Sequence, residues 1–367
     1  MIPPQAMPRV PVVIDATELG STARHRGVGR YLREVVRGLA LDEGLAVTAL
    51  TSADAPLPDS VTRQLVSRRM PPRLVLREHD LRLPRALRRS GAQVALCPAH
   101  TPPRHAAIPW VQTLHDLTPL VFSHPIMASQ RAWWLRVGPR LRDARTIIAV
   151  SRSSADQGIR LLGLDPHRIE VVPHGVDPSF SPAGQAVDRG GPYLLWVSTW
   201  GPHKGLREAA EVVAALATQP EAPRLVVAGW QDEWSRARML EELGGVSRPD
   251  LVDQIGYVDD LPALYRGSIG LLVTSRAEGF CFPALEAMAC GIPVFAFDNT
   301  CLPELIEGAG VLVADGDIAS MASAVRTVLK SKRAAADHGA AGVERAARYS
   351  WASSISRHSE LLRSAAR

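Results

Sequence analysis

The chain alternates short apolar runs with longer stretches whose apolar residues recur at helical spacing. Val10–Ala16, Ala46–Thr51, Val94–Cys97, Val111–Leu114 and Thr146–Val150 are runs without polar alternation, as expected of parallel strands buried on both faces. Helical stretches lie between them: one opening at Arg26-Gly27-Val28-Gly29-Arg30-Tyr31 and running to about Leu41, one over 78–90 and one over 130–143. Residues 178–192, rich in Pro, Gly, Ser and Ala, read as a linker. A second series follows. Strands are predicted at Tyr193–Ser198, Leu225–Gly229, Ser268–Ser275 and Pro293–Phe297, and helices at Leu206–Ala217, Pro283–Ala289, Ile318–Leu329 and Trp351–Leu362. Strand–helix alternation in both halves predicts two doubly wound α/β domains, 1–180 and 181–348, followed by a C-terminal helical segment, 349–367.

Size and composition agree with this picture. A chain of 367 residues can build two cores, and 46% hydrophobic with 22% charged residues is the balance of a soluble globular protein. No run reaches the length of a membrane span, and the first eight residues lack the charged start and apolar core of a signal peptide. Cys97, Cys281, Cys290 and Cys301 form no CxxC pair or metal-ligand spacing, which reads as reduced thiols in a cytoplasmic protein. The net charge of +5 is carried almost entirely by arginine, the only lysines being Lys204, Lys330 and Lys332. Arg68, Arg69, Arg73, Arg77, Arg82, Arg85, Arg88 and Arg89 cluster. They read either as a solvated helical face or as a contact for an anionic membrane surface or phosphate-linked acceptor. No aromatic platform accompanies them, so nucleic acid is disfavoured.

The stretch with the most chemistry is Glu278-Gly279-Phe280-Cys281-Phe282-Pro283-Ala284-Leu285-Glu286. It follows a predicted strand, turns at a glycine and enters a helix near Pro283, a position that tolerates proline. Glu278 then stands at a strand's C-terminal end, where open α/β sheets bind ligands. The amides of Gly279, Phe280 and Cys281 fall near a helix N-terminus suited to anionic or hydroxyl-rich groups. Glu286 is expected about two turns into the helix. The stretch resembles the Glu, seven residues, Glu motif of family-4 (group 1) glycosyltransferases, usually EGFGLPxLEA, with Cys281 where the family has glycine.

Further segments resemble the mannosyltransferase-like subgroup of that family. Arg26–Tyr31 is similar to its TGIGRY segment, which faces the sugar diphosphate. His115-Asp116-Leu117 matches its HDL, whose histidine contacts the transferred sugar. Asp116 either orients His115 or caps the next turn. Ile169–Asp177 is similar to VIPNGVD, with His174 replacing asparagine. Ser198-Thr199-Trp200-Gly201-Pro202-His203-Lys204-Gly205 is similar to the diphosphate-binding loop, with Ser198 where many members have arginine and His203 beside the lysine. Gly256-Tyr257-Val258 resembles the segment lining the base pocket. Asp315-Gly316-Asp317 matches a metal-binding DxD by spelling only and reads as a helix cap. Leu32 stands where a dinucleotide fingerprint needs its third glycine, which excludes a nicotinamide site.

The resemblance implies a GT-B fold of two facing Rossmann-like domains with a crossover helix. It implies a retaining, metal-independent transferase using a nucleotide diphosphate sugar, GDP-mannose favoured and UDP-sugars open, with a saccharide, lipid-linked or small-molecule acceptor. His115, Glu278 and Lys204 are the implied catalytic residues. Gly27, Gly29, Ser198, Thr199, His203, Tyr257, Val258, Gly279, Phe280, Cys281, Leu285 and Glu286 are the implied donor contacts. Two rivals remain: a non-catalytic partner subunit, suggested by Cys281 and Ser198, and a sugar-nucleotide epimerase on the same fold.

Overall fold

The computed structural model describes residues 9–51, 55–59, 61–66, 75–98, 101–217 and 222–367, the side chains of 75–79 excepted. The chain forms two compact units. The first contains the described residues up to Leu120, Ser129–Gly175 and Trp351–Arg367. The second contains Val121–Ala128 and Val176–Ser350. Thus Val121–Ala128, inside the range expected of the first domain, clusters with the second unit, and the helix Trp351–Ala365 belongs to the first.

The first unit carries a parallel sheet of β1 (Val10–Asp15), β2 (Leu45–Thr51), β3 (Thr62–Leu65), β4 (Val94–Cys97), β5 (Trp110–Leu114), β6 (Thr146–Ala149) and β7 (Ile169–Val171) in the order β3-β2-β1-β4-β5-β6-β7. β1 pairs with β2 from Val10↔Leu45 to Asp15↔Leu50 and with β4 from Val12↔Val94 to Ile14↔Leu96. β3 was not expected: its sequence, TRQL, is mostly exposed at the sheet edge and carries no apolar run. One buried cluster includes Val13, Leu50, Leu87, Leu114, Trp134, Val137 and Ile147. The helix expected over 130–143 is α-helical only for Ala128–Val137. Gly138-Pro139 turn the chain into a 3-10 segment to Asp143, because proline has no amide to continue the ladder.

Of the arginine cluster, Arg68, Arg69 and Arg73 and the side chain of Arg77 lie outside the described residues. Arg85, Arg88 and Arg89 are exposed on the helix Val75–Arg89, while Leu83, Ala86 and Leu87 of the same helix are buried. Among the described residues, no helix is long and apolar enough to cross a membrane.

The second unit carries β8 (Tyr193–Val197), β9 (Arg224–Ala228), β10 (Val252–Gly256), β11 (Gly270–Val273), β12 (Val294–Phe297) and β13 (Val311–Val313) in the order β10-β9-β8-β11-β12-β13, again all parallel. Leu194, Trp196, Val213, Leu225, Leu272, Phe295 and Val325 share its core. In both sheets the strand order reverses once, between β1 and β4 and between β8 and β11. Such a reversal point, at the C-terminal edge of the strands, is where open α/β sheets bind ligands.

Candidate functional site

In the second unit the reversal point is flanked by the loop after β8, which carries Lys204, and the loop after β11, which carries Glu278. Gly205 lets them meet. Its φ of +69° is a left-handed conformation, and a Cβ there would sit 2.1 Å from the Thr274 carbonyl oxygen. Thr274 Oγ1 donates to the Gly205 carbonyl at 2.6 Å, and the Arg276 amide donates to the His203 carbonyl at 2.7 Å. Held this way, Lys204 Nζ donates to both carboxylate oxygens of Glu278, at 2.8 and 3.0 Å. Both side chains are partly buried, so their attraction is screened less than a surface pair's.

The backbone around Glu278 is strained. Cys281 has φ +71° and Thr300 φ +44°, both unusual for residues with a Cβ. Thr300 Oγ1 accepts the Glu278 amide at 3.0 Å, and Asn299 Nδ2 donates to the Ser275 carbonyl at 2.9 Å. The loop after β12 therefore clamps the loop after β11. Cys281 adopts the conformation a glycine would take, so the departure from EGFG leaves the path of the turn open to it. Burial, then the nearby Glu278 carboxylate, pushes its thiol well up.

The helix begins at Phe282, so Glu286 lies about one turn in rather than two. It is buried, and the Tyr265 hydroxyl donates to Glu286 Oε2 at 3.0 Å. Leu285 is fully buried, and its amide is directed at the Cys281 carbonyl. Ser198 Oγ donates to the Thr199 carbonyl at 2.8 Å. Phe122 lies 6.3 Å from the His203 ring. Tyr257 is exposed just beyond β10, with Val258 half-buried beside it. Asp317 caps its helix by accepting the Ser320 amide at 2.9 Å, and Arg276 approaches Asp315 at 3.6 Å.

In the first unit, Gly27 opens the helix Gly27–Ala40 and is exposed, and the N-cap residue, Arg26, makes no side-chain capping bond. Gly29 is needed for packing: a Cβ there would lie 2.5 Å from the Ala23 carbonyl oxygen, in the 3-10 turn Thr22–His25.

His115 follows β5 and is buried. Its Nε2 lies 3.0 Å from the Pro98 carbonyl oxygen, which can only accept, so Nε2 carries a proton. Ser154 Oγ donates to the His115 carbonyl at 3.1 Å. Asp116 accepts the Thr118 amide at 2.9 Å and caps the short helix Thr118–Val121.

Around His115 stand groups the sequence did not connect. The Tyr31 ring lies edge-on 4.8 Å from His115 and 4.9 Å from His174, and His174 stacks 5.8 Å from Trp351. Tyr31 Oη lies 2.7 Å from Thr113 Oγ1 and 2.8 Å from His358 Nε2. Burial, and then the neighbouring His115 and His358, holds the His174 pKa well below its ordinary value. Burial also lowers His358, to about 4, against an opposing hydrogen bond to the Ser354 carbonyl.

Residues 25–180 match the family described as "Glycosyltransferase Family 4", and residues 191–331 match "Glycosyl transferases group 1". The O-antigen chain mannosyltransferase B of Escherichia coli is 27% identical over 263 residues, 66% of this chain and 66% of the relative. The D-inositol 3-phosphate glycosyltransferase 2 of Catenulispora acidiphila is 34% identical over 232 residues, 57% of this chain and 53% of the relative. The chain thus spans between half and two thirds of the length of these relatives. Sucrose-phosphate synthase from Thermosynechococcus elongatus superposes with a TM-score of 0.80 at 20% identity, covering 97% of this chain and 99% of that one. The two parallel-sheet units are those of GT-B glycosyltransferase structures.

Proposed function

The chain belongs to the group 1 and family 4 glycosyltransferases, and from that premise we propose that it moves a hexose from a nucleotide diphosphate sugar to a hydroxyl acceptor. We favour mannose from GDP-mannose, with retention of anomeric configuration and without a metal. The observation that carries this reading is the Lys204–Glu278 pair at the strand reversal of the second unit. A cation and a hydroxyl acceptor are held together by three loops there, and breaking a sugar–phosphate bond calls for both. Negative charge grows on the leaving diphosphate, and Lys204 is placed to stabilise it. Glu278, its carboxylate oriented by the same lysine, accepts hydrogen bonds from the sugar hydroxyls. Glu286, set by Tyr265, accepts from the ribose. His203 supplies a second cation when protonated.

In the first unit, His115 is the proposed contact to the transferred sugar, and the helix N-terminus at Gly27 adds positive potential. Retention follows when the acceptor hydroxyl attacks the face from which the phosphate departs, with a phosphate oxygen taking the proton. GDP is favoured by the likeness to mannosyltransferases, on sequence alone.

The test is donor turnover by the purified chain in chelator, with GDP-mannose and UDP-glucose offered separately, each with an alkyl glycoside as the hydroxyl acceptor so that the new glycosidic bond fixes the anomeric configuration. GDP release in chelator, with an α-configured sugar product by NMR, is the expected result. UDP release would change the donor and keep the class. Turnover of neither, in a chain that binds no nucleotide, favours the partner-subunit reading.

A further inference from the structure

The C-terminal helix Trp351–Ala365 reaches the His115 strand end through a chain of hydrogen bonds whose direction its two ends fix. His358 Nδ1 lies 2.7 Å from the Ser354 carbonyl oxygen, one helical turn earlier. A carbonyl only accepts, so Nδ1 carries the proton and Nε2 is left with a lone pair. Tyr31 Oη must then donate to His358 Nε2 across 2.8 Å. That leaves the Tyr31 oxygen to accept from Thr113 Oγ1, at 2.7 Å. Tyr31, Thr113 and His358 are buried, so each unmade bond would cost the desolvation of its partner. Thr113 lies two residues before His115, and the Tyr31 ring edge packs on the His115 ring.

We propose that His358 is a positioning residue for His115, acting through Tyr31 and Thr113, so that residues near the C-terminus help orient the group that contacts the transferred sugar. The proposal rests on the role assigned to His115 above. It explains why a histidine and a tryptophan of the last helix lie in a polar cluster at the sheet's C-terminal edge. A helix that merely covered the core would present apolar side chains there, as Leu361 and Leu362 do one turn on. The same helix is held independently elsewhere. Asp42 accepts from Ser359 and Arg363, and Arg357 pairs with Glu170 at 2.8 Å. Cutting the Tyr31–His358 link therefore need not release the helix.

The test combines imidazole ¹⁵N NMR of the full chain with kinetics of Tyr31→Phe, His358→Gln and the double variant. In the wild type, His358 should be protonated at Nδ1 and His115 at Nε2. Tyr31→Phe, which removes one oxygen, should shift the His115 ring signals. It should lower kcat roughly tenfold with donor KM changed less than twofold, and the double variant should be no slower than the slower single one. The opposite His358 tautomer, unmoved His115 signals in Tyr31→Phe, or additive rate effects would overturn the proposal. If the wild type turned over no donor, the proposed function would fail, while the NMR signals would still report on the link.

Discussion

The Lys204–Glu278 pair and the Tyr31–His358 cluster both stand at the C-terminal edge of a parallel sheet, yet they are built in opposite ways. The first is charged, partly open and assembled from three neighbouring loops, with 74 residues between the paired side chains. The second is neutral, buried and assembled across 327 residues. Desolvation lowers the pKa values of His174 and His358, and the Thr113 and Tyr31 hydroxyls donate in series, to Tyr31 and to His358. A ligand site must keep charge near solvent for an incoming anion. A supporting cluster gains rigidity by excluding charge and linking its polar groups to one another.

The sharpest way to break this contrast is to remove the charges. Lys204→Ala should lower transfer by roughly 10²–10³-fold, the usual loss for one donor aimed at developing charge, and Glu278→Gln should lower it as well, by breaking the ion pair that orients the acceptor of the sugar hydroxyls. Steady-state kinetics with the preferred donor checks this. A larger loss from His358→Gln than from Lys204→Ala would reverse the proposed division of roles.

Next in size is the pH dependence of the buried cluster. The His358 pKa is about 4 in the folded chain and near 6.5 when unfolded, so between these values the unfolded chain binds the additional proton. Stability should be fully present above about pH 6.5 and fall as pH drops towards 4, by about 3 kcal/mol from this group. His174, displaced in the same direction, adds to the slope. Denaturant midpoints measured across this range should fall less steeply for His358→Gln than for the wild type; equal slopes would refute the assignment.

A smaller effect probes the clamp on Glu278. Thr300→Ala removes the acceptor of the Glu278 amide and should cost about 1 kcal/mol in transition-state stabilisation, a several-fold loss in kcat/KM, whereas Thr300→Ser should stay near wild type. Equal kinetics for the two variants would show that the hydroxyl is idle.

The smallest expected signal is thiol reactivity. Burial pushes Cys97, Cys281 and Cys301 well up and Cys290 to about 11, so few thiolates form at neutral pH. A thiol reagent should label the native chain slowly and all four cysteines after denaturation.

How legible each region was follows from the same contrast. The turn at Glu278 and the loop at Lys204 are local: glycine, proline and charge at short spacing announce them, and β8, β11 and β12 of the second core are apolar runs, whereas β10, VDQIG, is not. Even there, the pairing of Lys204 with Glu278 could not be read, because it depends on β8 lying beside β11. Thr300 carried no signal, since its role comes from a strained φ and not from its neighbours in sequence. The close backbone contact at Gly29 likewise needed the fold, since it depends on the turn Thr22–His25 lying against the first helix. Tyr31, Thr113 and His358 were unreadable as a group. Each is ordinary in its own helix or strand, and only the three-dimensional fold of the first unit brings a tail residue to within 2.8 Å of the first helix.

The most direct test of the central claim, that the Lys204–Glu278 pair holds a nucleotide sugar donor, is calorimetric titration of the purified chain with GDP, UDP and ADP in chelator, repeated with Lys204→Ala. The expected result is binding of one nucleotide, GDP foremost, weakened at least about tenfold by the substitution, equivalent to about 1.4 kcal/mol. Binding that is unchanged in Lys204→Ala, or no binding of any of the three, would contradict it.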